Sequence, residues 1–273
     1  MRNRVLTALV LAPLALLAIW VLSPLGIAVL FAVVMLLGAD DWARLIGLRQ
    51  PLYILLYLLG LLPLMLLGWF LHRSSLPPEP LLLLATLWWF AALVWLRRFS
   101  QGRGQLLASP AVAAVVGYIV LGLAWFALLV LHGLGQGPYF ITLLLLVVWG
   151  ADVGAFFAGR HFGRRKLAPS ISPGKTWEGV WGGLVLAVLS GLVLHLALGP
   201  AWLGLYFLLP LLVLTVLFSV VGDLFESMLK RQYGVKDSGN LLPGHGGMLD
   251  RIDSLTAAAP IFTVALLWLW LVQ

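Results

Sequence analysis

The chain reads as long apolar runs separated by short polar links. Nine runs stand out, at about residues 5–22, 24–43, 52–71, 81–96, 110–131, 138–158, 179–198, 201–222 and 255–271. Each approaches the roughly 20 residues that a helix needs to cross the hydrocarbon of a bilayer. The runs are continuous and Leu-rich, which favours helices over the alternating strands, roughly ten residues long, of a membrane barrel. The first run follows Arg2 and Arg4 in the manner of a signal peptide. It is long for one and no small-residue cleavage site follows, so it counts as a span. The pattern predicts an all-α, polytopic integral membrane protein with about nine transmembrane helices.

Composition agrees. Hydrophobic residues make up 62% of the 273 and charged residues only 10%, against about 45–50% and 25% in soluble domains. Cysteine is absent, which removes disulfides and thiolate metal sites. Lys and Arg set the orientation. With the N-terminus cytoplasmic, every one of the 17 cations except Arg73 falls in a cytoplasmic segment. The formal charge of +7 then belongs to that face, where it suits anionic headgroups or phosphorylated substrates. Nucleic acid is not an expected partner. Arg2, Arg4, Arg44 and Arg49 do no more than set topology on this reading. The links on the other side are short and almost uncharged, so chemistry is expected on the cytoplasmic side of the cell (inner or plasma) membrane.

Three constellations could carry it. The first surrounds Asp152, near the end of the sixth run, in WGADVGAFFAGRHFGRRK. An ionisable group in a span is a functional candidate by default, although Asp152 could simply pair with Arg160 two turns on. Gly150, Gly154 and Gly159 allow close helix packing there. The second is ISPGKTWEGVWGG. Ser172, Pro173 and Gly174 suggest a turn, with the seventh helix starting near Trp177. Backbone N–H groups at that start, beside Lys175 and Thr176, could bind an anion, or Glu178 could merely complete a helix cap. The string lacks the glycine spacing and preceding strand of a P-loop.

The third constellation runs from Asp223 to Asp253 and holds five of the ten acids, Asp223, Glu226, Asp237, Asp250 and Asp253. Asp223, Glu226, Ser227 and Lys230 share one helix face by their i, i+3, i+4, i+7 spacing. Asp250 and Asp253 precede the ninth run. Carboxylates converging from two helix ends can hold Mg²⁺. Gly244, Gly246 and Gly247 let backbone approach a ligand, and Lys230, Arg231, Lys236 and Arg251 could bind phosphates. These residues alone point to metal-assisted phosphoryl or nucleotidyl transfer at the membrane surface.

At this point a resemblance emerges. Ser227-x-Leu229-Lys230-Arg231, then Lys236-Asp237-x-Gly239, then Leu242-Pro243-x-His245-Gly246-Gly247-Met248-x-Asp250-Arg251-Ile252-Asp253 resembles the signature of CDP-diacylglycerol synthases, the phosphatidate cytidylyltransferases. The SPGKTWEG string and the stretch around Asp152 are similar to that family too, with small departures at Gly174 and Phe156. The likeness is strongest over 149–253. It implies a reaction of CTP with phosphatidate to give CDP-diacylglycerol and pyrophosphate, with Mg²⁺ and room for a second metal ion. It implies that Asp223 and Asp250 are metal-associated, with Ser227 beside them, and it is compatible with a homodimer. Together with the reading of the residues, it gives Asp223, Asp250, Lys230, Arg231, His245 and Arg251 as the catalytic set. Asp152, Arg160, Ser172, Lys175, Thr176, Glu178, Ser227, Lys236, Asp237, Gly246, Gly247 and Asp253 would contact substrate. His245 suits phosphate positioning better than proton abstraction.

Residues 1–140 then read as an N-terminal membrane scaffold and 141–273 as the catalytic region. Two rivals fit less well. A transporter would carry its charges near the midplane and show an internal repeat, and CDP-alcohol transferases space their aspartates differently.

Overall fold

The computed structural model describes residues 2–103, 106–239 and 246–272. The described residues form nine α-helices and one two-stranded hairpin. In chain order these are α1 (Arg2–Val21), α2 (Pro24–Leu45), α3 (Pro51–Arg73), α4 (Glu79–Ser100), α5 (Pro110–Gly133), α6 (Gly137–Phe162), β1 (Lys166–Ala168), β2 (Ser172–Thr176), α7 (Trp177–Leu198), α8 (Leu205–Gln232) and α9 (Leu249–Val272). Every apolar run is therefore a helix. Eight of them, α2 to α9, are long and apolar enough to cross a membrane, and α1 adds a shorter apolar stretch, Ala12–Val21. This is an all-α, multi-pass membrane protein.

Helix starts follow local chemistry. Pro24, Pro51 and Pro110 open α2, α3 and α5, where a missing N–H costs nothing and the fixed φ already suits a helix. The α1–α2 connection is only Leu22 and Ser23, and the Ser23 hydroxyl accepts the Gly26 N–H at 3.2 Å.

Packing places α5 and α9 at the centre, where most of their residues are buried, and α7 at the edge, where few are. Lipid offers no hydrophobic drive between helices, so close contact and hydrogen bonding hold them together. Trp42 and Trp125 donate their indole N–H groups to Ala113 O (2.9 Å) and Ala28 O (3.0 Å), tying α2 to α5. Tyr57 of α3 donates to Ala114 O at 3.1 Å. Trp88 and Trp89 of α4 set their ring edges against Phe225 of α8. The α6–α7 pair is joined through glycine: a Cβ on Gly154 would stand 2.9 Å from Gly183 Cα, inside contact distance.

Two features differ from the sequence reading. Ser172 to Gly174 are not a turn but part of β2, which pairs antiparallel with β1 in the register Lys166↔Thr176 and Ala168↔Ser172. Proline and glycine normally interrupt strands, but a two-stranded ribbon consists of edges, where a missing N–H is tolerated. The second difference is length. α8 continues ten residues beyond the apolar run to Gln232, and α9 starts at Leu249, six residues before its run. The polar side chains in these extensions pair with one another, so the helices persist past the apolar segments.

Candidate active site

The last turns of α6, the hairpin, the start of α7, the C-terminal half of α8 and the start of α9 enclose a cavity of about 680 Å³. Asp152 and Arg160 face it from α6, Lys175 and Thr176 from β2, Asp223 and Lys230 from α8, and Asp250, Arg251 and Asp253 from α9. Asp237 contributes from the link between α8 and α9. Ala151, Ala155, Val180, Val216 and Val220 fill the wall between the charges. Phe156 lines the cavity and is 56% exposed at the outer surface of the bundle.

Local chemistry fixes each wall. Thr176 caps α7, its hydroxyl accepting the Gly179 N–H at 3.2 Å. Glu178, in the first turn, accepts the main-chain N–H of Arg164 at 3.0 Å and that of Arg165 at 3.1 Å. The carboxylate thus joins the end of α6 to the start of α7 and braces the hairpin between them. At the end of that hairpin Lys175 forms an ion pair with Asp223. The Ser227 hydroxyl also donates to Asp223, at 3.4 Å.

The opposite wall is a buried charge triad. Lys230 Nζ lies 2.5 Å from Glu226 Oε2 and 2.6 Å from Asp250 Oδ1. The other oxygen of Asp250 accepts the N–H groups of Gly247 (2.9 Å) and Ser238 (3.1 Å). Asp250 is therefore held by one cation and two amides.

Between the walls stands a group of acids. Asp253 interacts electrostatically with Asp223, Glu226 and Asp152, and Asp152 also with Lys175 and Arg251. No ion pair joins Asp152 to Arg160 among the described residues. Asp223 and Asp253 come together because α8 and α9 touch at Gly222, where a Cβ would lie 3.0 Å from Ala257 Cβ. Opposed carboxylates raise one another's energy unless a cation joins them.

Hard carboxylate oxygens suit Mg²⁺, which takes one or two carboxylates and leaves its other positions to water and phosphate. Among the described residues no three His, Asp or Glu side chains form a metal-holding group by themselves. The chemistry fits an ion held by a small protein donor set and completed by substrate. Asp223 and Asp250, the two carboxylates expected beside a metal ion, both line the cavity, with Asp152 and Asp253 next to them.

Other predicted residues lie beside the cavity and brace it. Arg231 Nε donates to Ile171 O at 3.1 Å and so holds the hairpin turn. Glu178 is spent on backbone amides, and Ser227 acts on Asp223. Ser172 forms the strand pairing, Lys236 is exposed on the α8–α9 link, and Gly246 and Gly247 are backbone beside Asp250. His245 and Gly244 lie outside the described residues. Of the acids left unassigned by sequence, two matter in the structure. Glu226 had the right signal in its i, i+4 spacing to Lys230. Asp41 also carried one: it is an acid inside the second apolar run, as Asp152 is inside the sixth.

The whole chain, residues 2–269, matches the cytidylyltransferase family. The chain belongs to that family. Relatives named phosphatidate cytidylyltransferase include one from Pseudomonas aeruginosa, 42% identical over 98% of this chain and 97% of its own length. Another, from Haemophilus influenzae, is 39% identical over 96% and 97%. One from Bacillus subtilis is 44% identical over 53% and 56%. This member of the cytidylyltransferase family is a nucleotidyltransferase whose charged cavity is lined by membrane helices.

Proposed function

We propose that the protein transfers the CMP group of CTP to phosphatidate, giving CDP-diacylglycerol and pyrophosphate, with Mg²⁺, at the cytoplasmic face of the cell membrane. The observation that carries this reading is the α6–α9 cavity. It combines aspartates and cations with an apolar wall, and Phe156, exposed on the outside of the bundle, is part of its lining. An amphiphile with a phosphate head matches it, and the relatives named for this activity support the choice.

A phosphate monoester loses its second proton near about pH 6, so the phosphatidate nucleophile is largely dianionic at neutrality and no strong general base is required. One of its oxygens attacks the α-phosphorus of CTP. The bond from that phosphorus to the oxygen bridging the β-phosphate breaks, and its electron pair leaves with pyrophosphate. The barrier lies in bringing two polyanions together in line. Lys175 and Arg160 offer positive charge from the α6–hairpin side, and Lys230 and Arg251 from the α8–α9 side. Asp223 and Asp250, with Asp253 and Asp152 beside them, would hold Mg²⁺, which supplies Lewis-acid stabilisation of the developing phosphate charge. Phosphatidate would slide in laterally past Phe156, while CTP enters from the aqueous end. The cytoplasmic placement rests on the distribution of Lys and Arg.

The test mixes purified protein in detergent with Mg²⁺, CTP and phosphatidate and measures CDP-lipid and pyrophosphate. Folded, nucleotide-binding protein that makes neither overturns the proposal. Sidedness is tested separately. The chain has no cysteine, so Gly174→Cys should react with an impermeant thiol reagent only from the cytoplasmic side.

A further inference from the structure

We infer that Asp41, on α2, is a positioning residue for the reaction proposed above: its buried carboxylate holds the start of α9 and the backbone before it, and thereby places Asp250 and Lys230. The inference rests on that proposed reaction for its functional meaning and on geometry for its contact.

Asp41 is 3% exposed. Its Oδ2 accepts the N–H of Leu249, the first residue of α9, at 3.0 Å, across 208 residues of sequence. The Met248 N–H also hydrogen-bonds it. A helix start leaves its first N–H groups without internal partners and attracts negative charge. The local capping position here is Met248, whose side chain has no oxygen to offer. Asp41 supplies the cap from another helix.

The same carboxylate is enclosed by backbone. A Cβ on Gly247 would stand 2.7 Å from Asp41 Cγ, and one on Gly239 would stand 2.8 Å from it. Asp41 thus touches the segments on both sides of residues 240–245. Those segments also hold Asp250, through the N–H groups of Ser238 and Gly247. Asp250 in turn fixes Lys230. The relay runs from α2 through main chain to a carboxylate and an ammonium that face the cavity. Arg44, one turn away, is already engaged by Asp40 at 2.8 Å, so the exposed pair on α2 does not perform this task.

The test compares Asp41→Leu, which removes both acceptors at similar size, with Asp41→Asn, which keeps one acceptor oxygen. Per folded molecule, Asp41→Leu should lose about 10- to 100-fold in kcat, the scale of a small misplacement of positioned groups, with KM for phosphatidate nearly unchanged because the α6–α7 wall is untouched. Asp41→Asn should recover most of the loss. Hydrogen exchange at the amides of 247–251 should quicken in Asp41→Leu while α6 and α7 stay as in the unaltered protein. Unaltered kcat and exchange in Asp41→Leu, or Asp41→Asn as impaired as Asp41→Leu, would overturn the inference. If Asp41→Leu yields no folded protein, Asp41→Ala, which also removes both acceptors but adds no bulk, takes its place, and protection at 247–251 equal to the unaltered protein overturns the inference. Absence of product from the unaltered protein counts against the proposed reaction instead, and the exchange comparison still judges Asp41.

Discussion

Lys230 Nζ bridges Glu226, one turn back on its own helix at 2.5 Å, and Asp250, twenty residues on at the start of α9, at 2.6 Å. The pairing locks the ends of α8 and α9 together and fixes a cation on the cavity wall. It also makes Lys230 a cation shared by two acids that are almost out of solvent.

Lys230→Met should therefore destabilise as well as inactivate. Removing one partner of a buried charge group costs about 3–5 kcal/mol, because the remaining charges stay unpaired. Thermal unfolding in detergent should show a clear fall in midpoint, and turnover should drop by about 100-fold or more, as when one electrostatic contact to a phosphoryl transition state is lost. An unchanged midpoint would show that the triad does not stabilise the fold.

Asp223→Asn should lower turnover by about 100-fold and shift the Mg²⁺ response. Loss of a charged oxygen donor weakens the ion's site, so half-saturation should move to higher Mg²⁺. A titration of activity against Mg²⁺ reads this directly, and chelator should abolish activity in the unaltered protein. An Asp223→Asn protein with the ordinary Mg²⁺ curve would remove Asp223 from the metal site.

Arg231→Ala separates two roles for one residue. As a phosphate ligand it would change KM for CTP or phosphatidate. As the brace on Ile171 O it should speed hydrogen exchange in the hairpin, at 166–176, with the smaller effect on turnover. The structure favours the brace, and protection in the hairpin equal to the unaltered protein would contradict it.

Glycines 154 and 174 should behave oppositely. Gly154→Leu pushes a side chain into the α7 backbone, where overpacking costs about 1–3 kcal/mol or more, so the yield of folded protein should fall. A methyl group added at Gly174 would meet nothing within 4 Å, so Gly174→Ala should change stability by less than about 0.5 kcal/mol. Paired unfolding curves would settle both, and equal midpoints would refute the tight α6–α7 seam.

Much of the protein is legible in its sequence because membrane insertion is decided locally. A run of about 20 apolar residues becomes a helix wherever it occurs, and each of the nine runs does so here. The motif around Asp223 and Asp250 was legible for a related reason: side chains three, four and seven residues apart on α8 share a face. Other relations were not written in any local pattern. Pro173 and Gly174 sit in a strand only because Lys166 to Ala168 lie beside them and Glu178 and Arg231 brace the ribbon. Asp250 meets Lys230, and Arg231 meets Ile171, because other elements bring these partners to them. Asp41 reaches Leu249 only after α2 and α9 pack. The sequence alone determined the membrane helices, the family and the set of charged residues from which the site is drawn. Tertiary structure decided which of those charges face one another. That choice depends on contacts between helices far apart in the chain, and no local preference encodes them.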